Sequence, residues 1–574
     1  MAEQSTKNQQ AISFQWCFHL ADALSRNGVR EAFISPGSRS TPLTMALVHH
    51  PDIRCHSVLD ERSASFMALG AGKASGIPAL FVCTSGTALA NAYPSVVEAR
   101  MSESPLIVLS ADRPPKLRSI GASQTIDQFK MFGDYPVLFF DTGEPVMTQA
   151  GEAFTASQDA RRLDHLAVQS VSYALKKGGA VHINLPFRKP LEPSEMDISH
   201  CLTVYGYGNE GKEVKKSIAD RPCGIIGQTL RPVPEAVNQI LRDAERPIAI
   251  AGPGSEDAAA FWKWCQSRSI PVLCETGGVP GFTRHPEVLK HSNQPDPDLI
   301  LRAGGGPVHA ATIHALQNWD CPQLIFNGQD SIDDATLSST HLLQGPAASY
   351  DWHNEPETGN AGNRYHSWLE SWQIATDQTS EYTAVDGFGD PDVYRILLPL
   401  LDSNHDSRIV LSNSMPIRDY LLYGPAEQVT SIPVIHNRGA SGIDGVTSTA
   451  IGAALSERKP TVLFTGDLAF QHDASGLNNL RLRDLSLKIV VINNHGGNIF
   501  RMLPFEKMDT VFTNFVETPQ HVSIPDVARA HGLPVETAET ADQLRDAWIR
   551  LSAHPAGILE CRTDPTLSMR KRGY

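Results

Sequence analysis

The sequence predicts an α/β protein of three domains, each a mostly parallel, doubly wound sheet. Three observations carry that expectation. At 574 residues the chain is too long for one hydrophobic core, so two or three domains are expected. Short apolar runs alternate with stretches of helical periodicity, which is the pattern of βαβ units. In the first and last parts of the chain the apolar runs lead straight into chemically distinctive loops, and in a parallel sheet those loops share one edge.

Taken in order, Ala11 to Arg26 has Ile12, Trp16, Leu20 and Leu24 at helical spacing and stops at Asn27-Gly28, a C-terminal signal. Strands are expected at Ala32 to Ile34, Cys55 to Leu59, Leu80 to Cys83 and Leu106 to Leu109. Between them lie helical stretches near Pro42 to His49, Ser63 to Ser75 and Leu89 to Arg100. The loops after these strands read Pro36-Gly-Ser-Arg-Ser-Thr41, Asp60-Glu-Arg62, Thr84-Ser-Gly-Thr87 and Asp112-Arg-Pro-Pro115. A row of loops with Arg, Glu and Ser/Thr/Gly at one sheet edge reads as half of an active site. Ala71-Gly-Lys-Ala-Ser75 is not a P-loop, because Met67 stands where the first glycine belongs and Ala74 replaces the Mg²⁺-binding hydroxyl.

Glu192 to about Gly227 is polar and irregular and reads as a linker. A second α/β series follows, with strands at Ile248 to Ala251, Pro271 to Cys274, Leu299 to Leu301 and Leu324 to Phe326. Its Gly252-Pro-Gly254 and Gly304-Gly-Gly306 turns lack a G-x-G-x-x-G register, so tight turns without a ligand are favoured over a nucleotide site. A polar stretch, Thr358 to Gly389, leads to the last domain, with strands at Arg408 to Leu411, Thr461 to Phe464, Leu487 to Ile492 and Gly557 to Cys561. Domain limits of 1–190, 191–385 and 386–574 follow. The shared βα plan of the first and third domains fits an ancient duplication.

Composition narrows the function classes. The formal charge of −14, from 63 acids against 49 bases, argues against a general nucleic-acid or membrane surface. Nine cysteines without CxxC pairs suit reduced thiols better than a disulfide framework or a zinc site. No apolar run reaches the ~18 residues of a membrane span, and the polar N-terminus lacks a signal h-region, so the cytoplasm is the expected compartment.

Thr465 to Phe500 is the stretch the others serve. It reads as a strand end, Asp467 on the following turn, a helical stretch to about Asp484, and a strand ending in Asn493-Asn494. A right-handed parallel crossover ends both strands at one sheet edge, so Asp467 and Asn494 become neighbours. A carboxylate, an amide oxygen and a free carbonyl in the Gly496-Gly497 turn suit a divalent ion such as Mg²⁺ that also binds phosphate oxygens.

This pattern resembles the thiamine diphosphate motif, a Gly-Asp pair followed at a fixed interval by Asn-Asn. Gly466-Asp467 and Asn493-Asn494 have 24 residues between Leu468 and Asn493, within the family interval. The third motif position, usually Gly, is Leu468. Further segments extend the likeness over nearly the whole chain: Ser35-Pro-Gly-Ser-Arg-Ser-Thr-Pro-Leu-Thr44, Asp60-Glu-Arg62, Thr84-Ser-Gly-Thr87, Ala111-Asp-Arg-Pro-Pro115, Ser412-Asn-Ser414 and Asn437-Arg-Gly-Ala-Ser-Gly-Ile-Asp-Gly445. Together they resemble the 2-succinyl-5-enolpyruvyl-6-hydroxy-3-cyclohexene-1-carboxylate synthase family of menaquinone biosynthesis. That family decarboxylates 2-oxoglutarate and adds the succinyl carbanion to isochorismate in a conjugate, Stetter-like sense.

The resemblance implies a thiamine diphosphate fold with pyrimidine, middle and diphosphate domains, and a cofactor held with Mg²⁺ or Mn²⁺. Taken alone, Glu61 reads as an exposed acid paired with Arg62; by resemblance it activates the cofactor. Thr84 and Gly86, with Gly466, Asp467, Leu468, Asn494 and Gly496, are implied cofactor contacts, and Asp467, Asn494 and the Gly496 carbonyl are the implied metal ligands. Ser38, Arg39, Arg113 and Gln124 are implied on the isochorismate side, and Ser414, Arg418 and Arg438 complete an anionic-substrate pocket. Arginine suits that role independently, because both substrates are dianions and the guanidinium fork matches a carboxylate. Ile499, Phe500 and Leu503 are implied beside the reactive carbon, with core packing the alternative. The family's middle-domain basic pair has no clear counterpart; Arg302 and His309 are the candidates for it.

Homodimers or homotetramers with Glu61 of one subunit facing Asp467 of another are expected. The rivals are another thiamine diphosphate-dependent 2-oxoacid decarboxylase, an acetohydroxyacid synthase-like enzyme, or a noncatalytic binding protein on the same scaffold.

Overall fold

Sheet edges, with their row of loops, are what place the candidate residues. The computed structural model of the chain describes residues 2–145, 154–207, 230–256, 258–291, 294–327, 334–352, 364–379, 386–401, 407–482, 485–504 and 510–573. It falls into two compact units, one of Met1–Gly227, Thr447–Arg458 and Ser475–Asn479, the other of Gln228–Val446, Lys459–Ala474 and Leu480–Tyr574.

The first unit holds a six-stranded parallel sheet of β1 (Glu31–Ile34), β2 (Arg54–Ser57), β3 (Ala79–Cys83), β4 (Leu106–Asp112), β5 (Leu138–Asp141) and β6 (Ala180–Pro186), in the order β2-β1-β3-β4-β6-β5. Phe14, Phe18, Leu20 and Leu24 of the helix Ala2–Arg26 share a core with Val82, Ile107, Leu109 and Val181 of the strands. Apolar runs marked the first four strands. β5 went unread although Val137-Leu-Phe-Phe140 is apolar, and β6 interrupts its apolar residues with His182 and Asn184. Both polar side chains are buried and paired: His182 Nε2 lies 2.8 Å from Ser110 Oγ, and Asn184 Nδ2 donates to Asp112 Oδ2 at 3.0 Å.

The expected linker from Glu192 is partly ordered. Glu195–Val204 is a helix opened by a capping box between Ser194 and Asp197, and the Tyr205 hydroxyl lies 2.7 Å from His19 Nδ1. Positions 208–227 of that stretch lie outside the described residues.

Within the same unit the helix Glu61–Ser75 crosses the segment Thr447–Arg458 at close range. A methyl built on Gly70 would lie 2.1 Å from the Thr449 carbonyl oxygen, and one on Gly452 would lie 1.9 Å from that of Met67. Only glycine permits both approaches.

The second unit carries the two-stranded pair of β7 (Arg231–Pro232) with β13 (Tyr350–Asp351). Its five-stranded parallel sheet joins β8 (Pro247–Ala251), β9 (Val272–Cys274), β10 (Leu299–Ala303), β11 (Gln323–Asn327) and β12 (His341–Gln344), in the order β12-β11-β10-β8-β9. The helix His366–Thr379, with Trp368 and Trp372 buried, occupies much of the polar stretch that began at Thr358; positions 358–363 and 380–385 lie outside the described residues.

A six-stranded parallel sheet follows, of β14 (Arg408–Leu411), β15 (Val434–His436), β16 (Thr461–Gly466), β17 (Leu487–Asn493), β18 (Val535–Ala538) and β19 (Ala556–Arg562), in the order β15-β14-β16-β17-β19-β18. Counted from its own first strand, this sheet repeats the order of the sheet in the first unit. The order reverses between β1 and β3 in one and between β14 and β16 in the other, and ligands of doubly wound sheets bind at such switch points.

Candidate active site

At the first switch point the loops after β1 and β3 touch. A methyl on Gly37 would fall 2.3 Å from Thr84 Cβ, so glycine lets the β1 loop lie against the buried Thr84. The turn Ser38–Ser40 then leaves Ser38 exposed and folds Arg39 inward to 5% exposure. Arg39 Nη1 donates to the Phe187 carbonyl at 2.7 Å, while its Nε is buried without a partner.

Ser85, quoted in the Thr84–Thr87 motif but given no role of its own, is the hub of the next loops. Its hydroxyl accepts from Arg113 Nη1 and donates to the Gln124 carbonyl at 3.0 Å, and its carbonyl accepts from Gln124 Nε2 at 3.0 Å. Gly86, at φ 89°, donates its N–H to Gln128 Oε1 at 3.0 Å.

Burial pushes the guanidinium of Arg39 below its usual range; the nearby charge of Arg113 adds to this, and Asp112 opposes it. Arg113 is pushed the same way by burial, again against Asp112. Two under-compensated cations on adjacent loops are an environment that an anion would relieve.

Glu61 begins a helix. Asp60 is the N-cap of Glu61–Ser75 and accepts the Ser63 N–H at 3.1 Å, which leaves Glu61 half-buried in the first turn. Burial raises the thiol of Cys83 at the end of β3, and the Glu61 charge raises it further, which places the carboxylate near that strand end.

In the second unit, Ser414 stands at φ 70° and ψ −127° as N-cap of the helix Met415–Tyr423, and its carbonyl accepts from Arg418 Nη1 at 2.6 Å. Asn413 Nδ2 donates to the carbonyls of Asn437 at 2.7 Å and Gly442 at 2.6 Å, tying the β14 loop to the β15 loop that bears the half-buried Arg438. Burial lowers Arg418, with Asp419 and Glu275 opposing. Of the two middle-domain candidates, Arg302 is buried on Asp334 at 2.9 Å, and His309 Nδ1 lies 3.1 Å from Glu275 Oε2.

The β16 and β17 ends meet as the crossover requires. Gly466 pairs with Ile492, and Asp467, 2% exposed, opens the helix Asp467–His472. Leu468 is the second residue of that helix, so the motif's third position needs no glycine here. The Asp467 carboxylate accepts the backbone N–H groups of Leu468 and Gly496, yet burial, with the charge of Asp390 adding to it, pushes it up to about 7. Its Oδ2 is buried without a partner.

Asn494 donates Nδ2 to Asp390 Oδ2 at 2.9 Å, and its Oδ1 accepts from Asn498 Nδ2 at 2.8 Å. The Gly496 carbonyl, expected free, accepts the Asn498 N–H at 2.9 Å. With the second lone pairs of this carbonyl and of Asn494 Oδ1, and the orphaned Asp467 oxygen at the shared end of β16 and β17, the donor set still fits a hard divalent cation. Among the described residues no three His, Cys, Asp or Glu side chains gather as an alternative metal site.

Ile499 is half-buried, whereas Phe500 and Leu503 are 39% and 48% exposed, so these two do not pack in the core. Sequence reading missed Asp390, Asp419 and Arg572, whose partners lie far along the chain. Among the described residues no helix is long and apolar enough to cross a membrane.

Comparison with known proteins matches residues 17–131 to the thiamine pyrophosphate enzyme N-terminal TPP binding domain and residues 432–558 to the C-terminal TPP binding domain. The chain is 33% identical to a 2-succinyl-5-enolpyruvyl-6-hydroxy-3-cyclohexene-1-carboxylate synthase of Halobacterium salinarum, over 97% of this chain and 96% of that protein. It is 33% identical to the synthase of the same name from Prosthecochloris aestuarii, over 98% and 97%, and 32% identical to that of Bacillus pumilus, over 95% and 93%. Full-length similarity at this level, on a fold whose two six-stranded sheets carry the motif loops at their switch points, makes the chain a member of the 2-succinyl-5-enolpyruvyl-6-hydroxy-3-cyclohexene-1-carboxylate synthase family of thiamine pyrophosphate enzymes.

Proposed function

We propose that this enzyme decarboxylates 2-oxoglutarate and joins the remaining succinyl unit to isochorismate, in menaquinone biosynthesis. Thiamine diphosphate, when bound, supplies the carbon that takes up the electron pair released with CO₂. The protein's part is to hold, orient and exclude water. Asp467, Asn494 and the Gly496 carbonyl would hold Mg²⁺ or Mn²⁺ for the diphosphate, with Gly466 and Leu468 flanking. Glu61 would hydrogen-bond the pyrimidine ring nitrogen through its carboxyl proton and so favour the imino form of the cofactor, with Thr84 and Gly86 lining that side. Arg39 and Arg113, with Ser38 and Gln124, take the isochorismate side, and Arg418 and Arg438, with Ser414, complete the pocket for the anionic substrates. Ile499, Phe500 and Leu503 keep the reacting carbon dry, where loss of a charged carboxylate is favoured.

The observation that carries this reading is the buried, partnerless Oδ2 of Asp467, whose carboxylate bonds the Gly496 N–H at the edge where the Asn494 strand ends. Three guanidiniums depressed by burial support the dianionic substrates over a simpler 2-oxoacid. The reading includes domains at 1–190, 191–385 and 386–574, a cytoplasmic homodimer or homotetramer, and Glu61 of one subunit serving the cofactor held by its partner. The test is CO₂ release from 2-oxoglutarate by protein reloaded with thiamine diphosphate and Mg²⁺, with and without isochorismate. Turnover that depends on isochorismate is expected; turnover on pyruvate alone would move the function to the simpler decarboxylases.

A further inference from the structure

We infer that buried Asp390, held by Arg572, is a positioning residue for the metal site and sets the end of the Asn494 amide that faces the cation. The inference rests on the metal-site reading above. Asn494 has two chemically different ends, and only the carbonyl end can ligate a cation. A carboxylate accepts but does not donate, so the 2.9 Å bond from Nδ2 to Asp390 Oδ2 assigns the amine end to Asp390 and puts Oδ1 on the opposite side, where one lone pair accepts from Asn498 Nδ2 at 2.8 Å and the other can face a cation.

Asp390 is itself fixed. It is 1% exposed, and its Oδ1 accepts from Thr563 Oγ1 at 2.5 Å and Ser568 Oγ at 3.1 Å. Its Oδ2 accepts from Arg572 Nη2 at 2.7 Å as well as from Asn494. With both oxygens doubly engaged, the carboxylate has no free rotation to offer.

Arg572 is shared. Its Nε donates to Asp419 Oδ1 at 2.9 Å and its Nη2 also reaches Asp419 Oδ2. Asp419 lies on the helix Met415–Tyr423, next to Arg418, whose guanidinium caps back on Ser414. One guanidinium thus joins the residue that orients a metal ligand to the helix that carries a substrate-pocket arginine. Three buried charges are seldom needed for stability alone, since apolar groups of the same volume often do as well. Fixing geometry is the role that their arrangement serves.

The test is Mn²⁺ binding to the full chain in the presence of thiamine diphosphate, followed by the electron paramagnetic resonance signal of free Mn²⁺. Asp390→Asn keeps the shape but lets the Asn494 amide turn, so the Mn²⁺ dissociation constant should rise about 10- to 100-fold. Asp419→Asn, equally buried on the same arginine, should change it less than about threefold, because the Asp390–Asn494 bond survives. Arg572→Met should weaken Mn²⁺ binding and Arg572→Lys should recover part of it. If Arg572→Met does not fold, the two aspartate variants still decide the matter. Equal losses in Asp390→Asn and Asp419→Asn would overturn the inference in favour of general loosening, as would unchanged affinity in a folded Asp390→Asn. Failure of the unmodified protein to bind Mn²⁺ would instead overturn the metal-site reading, and the inference with it.

Discussion

Asp467 accepts the backbone N–H of Gly496, 29 positions further along the chain. The bond exists because β16 and β17 run parallel in register, with Gly466 opposite Ile492, so the residues just beyond both strands share one edge. The helix opened by Asp467 then buries the carboxylate with one oxygen unsatisfied. A site built this way is strained for want of positive charge.

Its pH dependence follows. In the metal-free protein Asp467 is raised from 3.8 to about 7 by burial, so the folded state binds this proton more tightly than the unfolded chain. Stability is therefore lost as pH rises from about 4 to 7, by roughly 2–4 kcal/mol in all. Thermal midpoints of the metal-free protein should fall across this range, and Asp467→Asn should flatten the fall. Thiamine diphosphate with Mg²⁺ should restore the midpoint at pH 8 in the unmodified protein and not in the variant. A midpoint in the metal-free protein that rises over the same range would refute the argument.

Glu61→Gln keeps the helix start, since Asp60 and not Glu61 supplies the cap. The amide can no longer share a proton with the cofactor ring nitrogen. CO₂ release should fall about 10²- to 10⁴-fold, while thiamine diphosphate affinity measured by calorimetry stays within about threefold. Loss of binding in step with activity would make Glu61 a holding group only.

The closeness of the helix crossing in the first unit is equally testable. Gly70→Ala and Gly452→Ala each press a methyl onto a backbone carbonyl, at 2.1 Å from Thr449 and 1.9 Å from Met67. Each should cost about 1–3 kcal/mol in denaturant unfolding. The double variant should cost less than the sum, because one displacement of the crossing relieves both. Strict additivity would mean that the two contacts are independent.

What the sequence disclosed has a physical pattern. The loops of Arg39, Glu61, Arg113, Asp467 and Asn494 could be placed because each directly follows an apolar run, and in a parallel sheet that position alone specifies the edge. β6 was missed because His182 and Asn184 break its apolar run, and their buried partners appear only in three dimensions. The helix start at Glu61 was readable in principle, since Asp60 and Ser63 have cap spacing. Asp390 was not, because Asn494 and Arg572, which give it meaning, lie 104 and 182 positions away.

Glu275 is another buried acid whose charge the structure uses. It is fully enclosed and accepts from the backbone N–H of Val308 at 2.6 Å and of His309 at 2.9 Å, and from the Thr312 hydroxyl; His285 Nε2 lies 2.9 Å and His309 Nδ1 3.1 Å away. Burial alone would raise this carboxyl, but the charges and hydrogen bonds of His309 and His285 overturn that and hold it well below the usual range. A depressed carboxyl contributes stability above its unfolded value, near 4.5, and loses it as pH falls through the folded value. Glu275→Gln keeps the volume but cannot accept from all these donors at once, and should cost about 2–4 kcal/mol at pH 7. Unfolding compared at pH 7 and pH 3 should show the gap between variant and unmodified protein narrowing in acid. A gap that stays constant would assign the loss to packing, and leave the charge of Glu275 without a part in holding the backbone at Val308 and His309.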